Sequence, residues 1–445
     1  MNKTSRREFL TSTGMRVAIA SASWALASQR RGFATEDLGV VESQPLPETE
    51  VVLPTDALPP PTDAKRRIAA IATAYWKYSH ADDIITKFIE GYAIVSRTHR
   101  PHCEVSGMYI EQFPESDIGR GMAKRYGIPL YDTPAATLTG GGDKLTVDGV
   151  LLIGEHGDYP YNEKGQQLYP RRRLFAEVVK VFRNCGRAVP VYNDKHFSYS
   201  WEDAAWMYKQ SRELDFPMMA GSSVPVTWRE PPLAFRTGVP LTNALAVGFS
   251  GVEVYGFHTL ELLQCFVEHR PGGETGVKSV QCLTGEAAWN AAQAGRWKPQ
   301  LLAAALQHVP GHTNKNYSAG ALQKADPDAV VFFVEYTDGF VGTAYLSRGL
   351  VNEFAFAAAV RGQAKPVATF CPLLKPQRDH FSMLCNHIEV MFRSGKPSYP
   401  VERTYLVTGA LAALVDSEFE GGGRIETPHL RSLGYTPAPE LGTAG

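Results

Sequence analysis

The sequence predicts an α/β protein in two parts, an N-terminal Rossmann-like, doubly wound parallel sheet and a C-terminal α+β part with a mostly antiparallel sheet. Three observations carry this. From residue 67 to 221, short apolar runs alternate with stretches of helical spacing, the pattern of βαβ units. Beyond Val224 long β-rich segments follow one another instead, and Tyr336-Thr337-Asp338-Gly339-Phe340 sets an Asp-Gly turn between two of them. The 445 residues are 44% hydrophobic and 20% charged, which supports more than one core and excludes disorder as the main state.

In the first part, strand Arg67 to Ala72 precedes a helix from Asp82 to Val95, where Ile84, Ile85, Phe88, Ile89 and Tyr92 share a face. The alternation continues with strand Val105 to Ile110, helix Ser116 to Tyr126, strand Asp148 to Gly154, helix Leu174 to Arg183, strand Ala188 to Tyr192, helix Trp201 to Leu214 and strand Pro217 to Gly221. A sheet of this kind works at the carboxyl ends of its strands. The second part holds helical stretches Gly256 to Val267 and Glu286 to Leu306. Its strands run Val277 to Thr284, Ala329 to Tyr336, Gly339 to Ser347, Glu353 to Arg361 and Pro366 to Phe370. Helices Arg378 to Arg393 and Thr404 to Glu418 close the core, and the segment after Gly421 reads as a surface tail.

The N-terminus reads Ser5-Arg6-Arg7-Glu8-Phe9-Leu10, then an apolar run from Val17 that ends at Ala25-Leu26-Ala27. Charge, apolar run and small residues in that order form a signal peptide of twin-arginine type, which predicts a periplasmic or secreted protein. The expected organisation is a signal over 1–34, a Pro-rich linker over 35–65, a nucleotide-binding part over 66–224, a substrate and oligomerisation part over 225–430 and a tail over 431–445. Folded structure is expected to begin near Lys65. Lys plus Arg number 45 against 46 Asp plus Glu, so the net charge of −1 gives no basic excess for nucleic acid. No run approaches the ~20 apolar residues of a membrane span, so no membrane insertion is expected after signal cleavage. The six cysteines form no C-x-x-C pair and read as buried free thiols.

The densest polar cluster follows the third strand, where Glu155, His156 and Asp158 fall within four residues. With Asp194 and His196 from the neighbouring strand end, these side chains suit either a polyhydroxylated substrate or a divalent ion such as Zn²⁺ or Mn²⁺. Their spacing matches no known metal signature, and no metal ligand is assigned.

Several stretches resemble the Gfo/Idh/MocA oxidoreductases, the family of glucose-fructose oxidoreductase and inositol dehydrogenase. Val189-Pro190-Val191-Tyr192-Asn193-Asp194-Lys195-His196-Phe197 resembles the family's strand ending in Glu-Lys-Pro. Tyr109-Ile110-Glu111 with Pro114 resembles the end of its second strand, Gly256-Phe257-His258 with Leu260-Glu261 its Gly-x-His helix start, and Phe381 to Ser417 its closing segment. The likeness spans about residues 66 to 430 and implies hydride transfer between NAD or NADP and a secondary hydroxyl of a sugar, polyol or glycoside. It implies Lys195, Asp194 and His258 as catalytic residues, with Glu253 or Glu261 as the histidine's carboxylate because Val254 stands where the family has Asp. It implies cofactor contacts from Ala72, Ala74, Lys77 and Glu111. Independently of the family, the polar cluster at the third strand's carboxyl end is expected to give a cofactor contact from Glu155 and substrate contacts from His156, Asp158 and His196, and the open antiparallel sheet face a homo-oligomer. One departure is central. The family's Gly-x-Gly-x-x-Gly turn is replaced by Ala72-Thr73-Ala74-Tyr75-Trp76-Lys77, so Lys77 and nearby hydroxyls would have to hold the phosphates, or the nucleotide site is remodelled. Two alternatives therefore stay open: a non-redox, metal-assisted lyase, hydrolase or epimerase on the same scaffold, and a catalytically decayed binding protein.

Overall fold

Strand β1 (Arg66–Ala72) reads as one apolar run because both its faces are covered. In the computed structural model it lies inside a five-stranded, all-parallel sheet of order β2-β1-β3-β4-β5. The other strands are β2 Cys103–Ile110, β3 Gly149–Ile153, β4 Val191–Asp194 and β5 Met218–Gly221. The structure describes residues 40–41, 53–61, 64–94, 97–373, 378–438 and 443–444, the outermost pairs by backbone alone. The predicted signal peptide lies outside them. Residues from Leu38 onward cluster as one compact unit.

The helices of this part are α1 Lys87–Glu90, α2 Gly119–Tyr126, α3 Pro134–Thr139, α4 Arg171–Cys185 and α5 Trp201–Glu213. Helices α4 and α5 bury Phe175, Val178, Phe182 and Met207 against one sheet face. The opposite face receives Ile84, Ile85 and Phe88 from the segment around α1 and Leu384, Ile388 and Met391 from a helix near the C-terminus. Strand order reverses between β1 and β3, so the loops leaving these two strands diverge and open a crevice at their carboxyl ends.

The second sheet has seven strands in the order β11-β10-β6-β9-β8-β7-β12. They are β6 Leu241–Phe249, β7 Val277–Thr284, β8 Val330–Tyr336, β9 Val341–Ser347, β10 Phe354–Val360, β11 Val367–Cys371 and β12 Ile425–Glu426. All pairings are antiparallel except β6 with β9. The Asp338-Gly339 turn closes the β8–β9 hairpin, with Gly339 at φ 86° and its N–H donating to the Tyr336 carbonyl at 3.0 Å. On the inner face lie α6 (Val254–Val267) and α11 (Glu402–Phe419). Helix α6 is buried throughout Gly256 to Val267, so it carries no polar stripe. On the outer face lie α7 Gly285–Gln293, α8 Pro299–Leu306 and α9 Ala319–Ala325, packing Trp289, Trp297, Leu301, Leu302 and Leu322. Helix α10 (Asp379–Ser394) is the one that returns to the first sheet.

Five local expectations are corrected. The helix predicted to reach Val95 is a π-helical turn, Asp82–Thr86, running into α1, and it stops at Gly91 (φ 78°); Tyr92–Ile94 then pairs with Arg97–His99. The predicted helix Glu286 to Leu306 is two helices, interrupted by Gly295 (φ 77°) and restarted with Pro299 at its first turn. Strand β6 escaped the sequence reading because it is central and nearly all apolar, with little alternation to betray it. The linker is partly docked: Leu53 is buried in the first core, and Thr55 exchanges hydrogen bonds with Asn386 at 2.9 and 3.1 Å. The segment after Gly421 is no loose tail, since it supplies β12, buries Leu430, and sends the Tyr435 hydroxyl to Glu268 at 2.6 Å.

All six cysteines are free thiols, five of them buried. Among the described residues no helix is long and apolar enough to cross a membrane. The sheet face expected to pair with a second copy is largely covered by α7, α8 and α9 of the same chain.

Candidate active site

The carboxyl ends of β1, β3 and β4 and the start of α6 converge on a cavity of about 260 Å³, walled by Tyr78, His80, Glu155, His156, Lys195, Tyr255, His258, Phe354, Arg378, His380 and Phe381 among others. Glu155, His156 and Lys195 leave their strands at the positions where an α/β sheet presents ligand-binding groups. The backbone is strained here. Tyr78 (φ 67°), His156 (72°), Lys195 (62°) and Arg378 (54°) are four of the seven non-glycine residues with positive φ among the described residues, and all four line the cavity. Each such conformation costs about 1–3 kcal/mol and persists only where surrounding contacts enforce it, which is characteristic of sites shaped for function.

The enforcing contacts are charged. Lys195 Nζ lies 3.0 Å from Glu155 Oε1 and donates to the Val254 carbonyl at 3.2 Å. The other Glu155 oxygen is held by Arg171 Nη2, and the Glu155 carbonyl accepts from the Thr73 hydroxyl at 2.8 Å. Burial alone would raise the Glu155 carboxyl, but Lys195 and Arg171 outweigh it and hold it well below the usual carboxylate range. Asp194 Oδ2, at the end of β4, meets His80 Nδ1 at 2.7 Å. His258 Nδ1 meets the Ser222 hydroxyl at 2.6 Å, and that hydroxyl also accepts the Val224 N–H at 3.0 Å. Burial, helped by Lys195 and His80, pushes His258 well below the ordinary histidine range; burial and His80 push His156 down to about 4. Both rings are neutral at pH 7.

Of the residues expected at the site, Glu155, His156, Lys195 and His258 line one cavity, and Asp194 joins them through His80. The others lie elsewhere. His196 is buried behind the wall, with Nε2 at 3.4 Å from Arg171 and 3.7 Å from Glu253. Asp158 is exposed and contributes only its backbone, which exchanges hydrogen bonds with Gln112 at 2.7 and 3.0 Å. The arrangement that the metal-assisted alternative would need, Glu155, His156, Asp158 and His196 around one ion, is not assembled, and no group of three metal-ligating side chains occurs among the described residues. The carboxylate expected beside His258 is a hydroxyl instead: Glu261 lies behind Ser222, accepting its N–H at 3.4 Å, and Glu253 faces Gln166 and Gln167. Sequence reasoning missed His80, Arg171 and Ser222. His80 had a legible position, in the loop leaving β1 at a strand's carboxyl end.

The residues expected to hold a dinucleotide do not form a site for one in the family's position. Ala72, Ala74 and Tyr75 are fully buried, and the Tyr75 hydroxyl bonds Thr86 at 2.7 Å, so the turn is filled by its own side chains. A pyrophosphate normally sits at the following helix N-terminus. Here the first turn carries two buried carboxylates. Asp82 accepts from the Tyr78 N–H at 2.9 Å and the Thr86 hydroxyl at 2.7 Å, and Asp83 pairs with Arg378 at 2.9 Å. Lys77, the expected phosphate holder, is an exposed side chain paired with Asp82 at 3.0 Å. Glu111, the expected ribose reader, is engaged by Arg173 at 2.5 and 2.7 Å and by the Tyr159 hydroxyl at 2.8 Å.

No protein-family model and no curated protein matches the chain. Solved structures do. GenD2 from gentamicin A biosynthesis, in complex with NAD, aligns with a TM-score of 0.51 over 83% of this chain and 99% of its own, at 12% identity. The apo scyllo-inositol dehydrogenase from Lactobacillus casei aligns with a TM-score of 0.50 over 81% and 98%, at 8% identity. The fold is that of these dehydrogenases. At such identity the likeness extends to the fold, its Rossmann-like and antiparallel sheets, and no further.

Proposed function

We propose that the chain is an enzyme that processes a small polyhydroxylated molecule, a sugar, polyol or glycoside, in the cavity at the strand ends, by proton transfer and without a dinucleotide in the family's position. The carrying observation is the convergence on one cavity of Lys195, His80 with Asp194, and the neutral His156 and His258, on strained backbone. A volume of about 260 Å³ lies at the small end of ligand pockets and suits a single ring. Neutral histidines offer both donor and acceptor to hydroxyls, and Lys195 offers a fixed cation.

A redox reading, oxidation of a secondary hydroxyl by a tightly bound NAD(P), is favoured by one observation, the fold shared with NAD-bound GenD2. It requires a nicotinamide held by residues other than Ala72, Ala74, Lys77 and Glu111. The decayed-binder reading is separated from both by turnover.

Saturation-transfer NMR of the purified protein with hexoses, inositols and methyl glucosides tests the sugar reading. Binding that weakens in His258→Ala and persists in Arg361→Gln, a residue outside this cavity, supports it, and absence of binding across the panel contradicts it. Location is proposed on the Arg6-Arg7 signal alone: Arg6→Lys with Arg7→Lys is expected to leave full-length precursor in the cytoplasm, because Lys lacks the planar guanidinium fork. Unchanged export of that variant would mark an ordinary secretory signal.

A further inference from the structure

Resting on that reading, we infer that His80 takes a proton from a substrate carbon beside a carbonyl, with Asp194 as its positioning residue and Lys195 facing the oxygen on which charge develops. The substrate class is accordingly a carbonyl sugar, a ketose or a glycoside already oxidised to the ketone.

The geometry is that of an oriented base. His80 and Asp194 are both buried; a carboxylate accepts, so the 2.7 Å contact places a proton on Nδ1, and in the neutral ring the lone pair is then on Nε2, on a residue that lines the cavity. Edge-to-face contact with Phe381 at 5.1 Å and with His156 at 5.3 Å holds the ring in place. Lys195 supplies the complementary group. An ammonium has three N–H donors, and Glu155 at 3.0 Å and the Val254 carbonyl at 3.2 Å occupy two. The third is left for a ligand oxygen in the same cavity. Arg171 occupies the other Glu155 oxygen, so that carboxylate engages Lys195 through Oε1 alone.

In the step itself the C–H bond breaks and its proton goes to His80 Nε2. The C–H electron pair becomes the second bond of an enediolate, and the carbonyl π pair moves onto the oxygen beside Lys195. Return of a proton from His80 Nε2 to the same face of that carbon completes the exchange, and no oxidant or reductant is consumed. The reaction that supplies such a substrate is an oxidation of a sugar hydroxyl to a ketone, carried out before the molecule reaches this cavity.

Deuterium incorporation in D₂O, followed by proton NMR, tests this on ketohexoses and on methyl glucosides oxidised at carbon 2, 3 or 4. The wild-type protein is expected to exchange the proton beside the carbonyl of at least one probe faster than the blank, and His80→Gln to lose about 100-fold or more of that rate. Asp194→Asn is expected to lower kcat with KM little changed, and Asp194→Glu to restore part of it. If His80→Gln loses its cooperative melt, the two Asp194 variants carry the comparison. Exchange within threefold of wild type in His80→Gln, or equal loss in Asp194→Asn and Asp194→Glu, overturns the assignment. Probes that bind without exchanging overturn it while leaving the sugar reading intact; probes that neither bind nor exchange overturn both.

Discussion

Lys195 Nζ and Glu155 Oε1, from the ends of two adjacent parallel strands, lie 3.0 Å apart with both side chains 5% exposed or less. This pair ties the carboxyl ends of β3 and β4 together and holds Lys195 in a left-handed conformation at φ 62°.

A lysine at a strand end would ordinarily contribute charge more than packing, but the burial of Lys195 gives it a structural share as well. Removing one partner of a buried ion pair costs about 3–5 kcal/mol, and the lower end applies because Arg171 still counters Glu155. Lys195→Met should therefore both abolish turnover and lower the thermal midpoint by several degrees, as read by calorimetry. An unchanged midpoint would contradict the structural half of this role.

Lys77 gives the opposite expectation. Its side chain is 63% exposed, pairing with Asp82 at 3.0 Å and lying over the Tyr78 ring at 5.1 Å, so Lys77→Ala should change stability by no more than about 0.5 kcal/mol and leave sugar binding intact. A large loss of binding would restore Lys77 to the ligand site.

Stability should fall on acidification. Burial pushes His380 down to about 3 and His387 and His269 to about 4, so these rings are neutral in the folded protein and protonate near 6.5 when unfolded. A depressed folded value means the contribution is fully present above pH 6.5 and is lost as pH falls toward 4. Glu261, raised by burial to about 7, and Asp83, raised by burial to about 6, act in the opposite sense, since protonation favours their buried form. With His156 and His258 added, the histidines outnumber them, and the melting midpoint should drop between pH 6.5 and 4. A flat or rising midpoint would contradict the neutral burial of these rings.

The α7–α9 layer should be integral to the fold. Trp289 is buried, with its indole N–H on the Asp326 carbonyl at 2.9 Å, so Trp289→Ala is expected to cost about 3–5 kcal/mol in denaturant unfolding. A cost under about 1 kcal/mol would mean the layer is a detachable cover, and pairing of the sheet face with a second copy would return as an expectation.

Legibility followed local periodicity. Strands β1 to β5 and the Asp338-Gly339 hairpin could be read because each is a short apolar run bounded by turn or helix signals. Strand β6 could not, since burial on both faces removes alternation, and the α7–α8 break was hidden by good helix formers on either side of Gly295 and Pro299. At the site, Lys195, Glu155, His156 and His258 were recoverable from strand-end position and from the family resemblance. The His80–Asp194 contact was not, because 114 residues separate the two and only the parallel sheet brings the loop after β1 over the end of β4. The fate of Lys77, Glu111 and Asp158 was equally hidden, because their partners Asp82, Arg173 and Gln112 give no signal until the loops are folded.

The most direct measurement is the nucleotide content of the folded protein: denature it as purified, assay the supernatant for NAD and NADP, and titrate the native protein with both. The expected result is no nicotinamide released and no saturable binding at the Ala72 to His80 turn, with carbonyl-sugar exchange proceeding in its absence. Stoichiometric NAD or NADP in the supernatant, with turnover that depends on it, would contradict proton-transfer chemistry and restore hydride transfer as the reaction of this cavity.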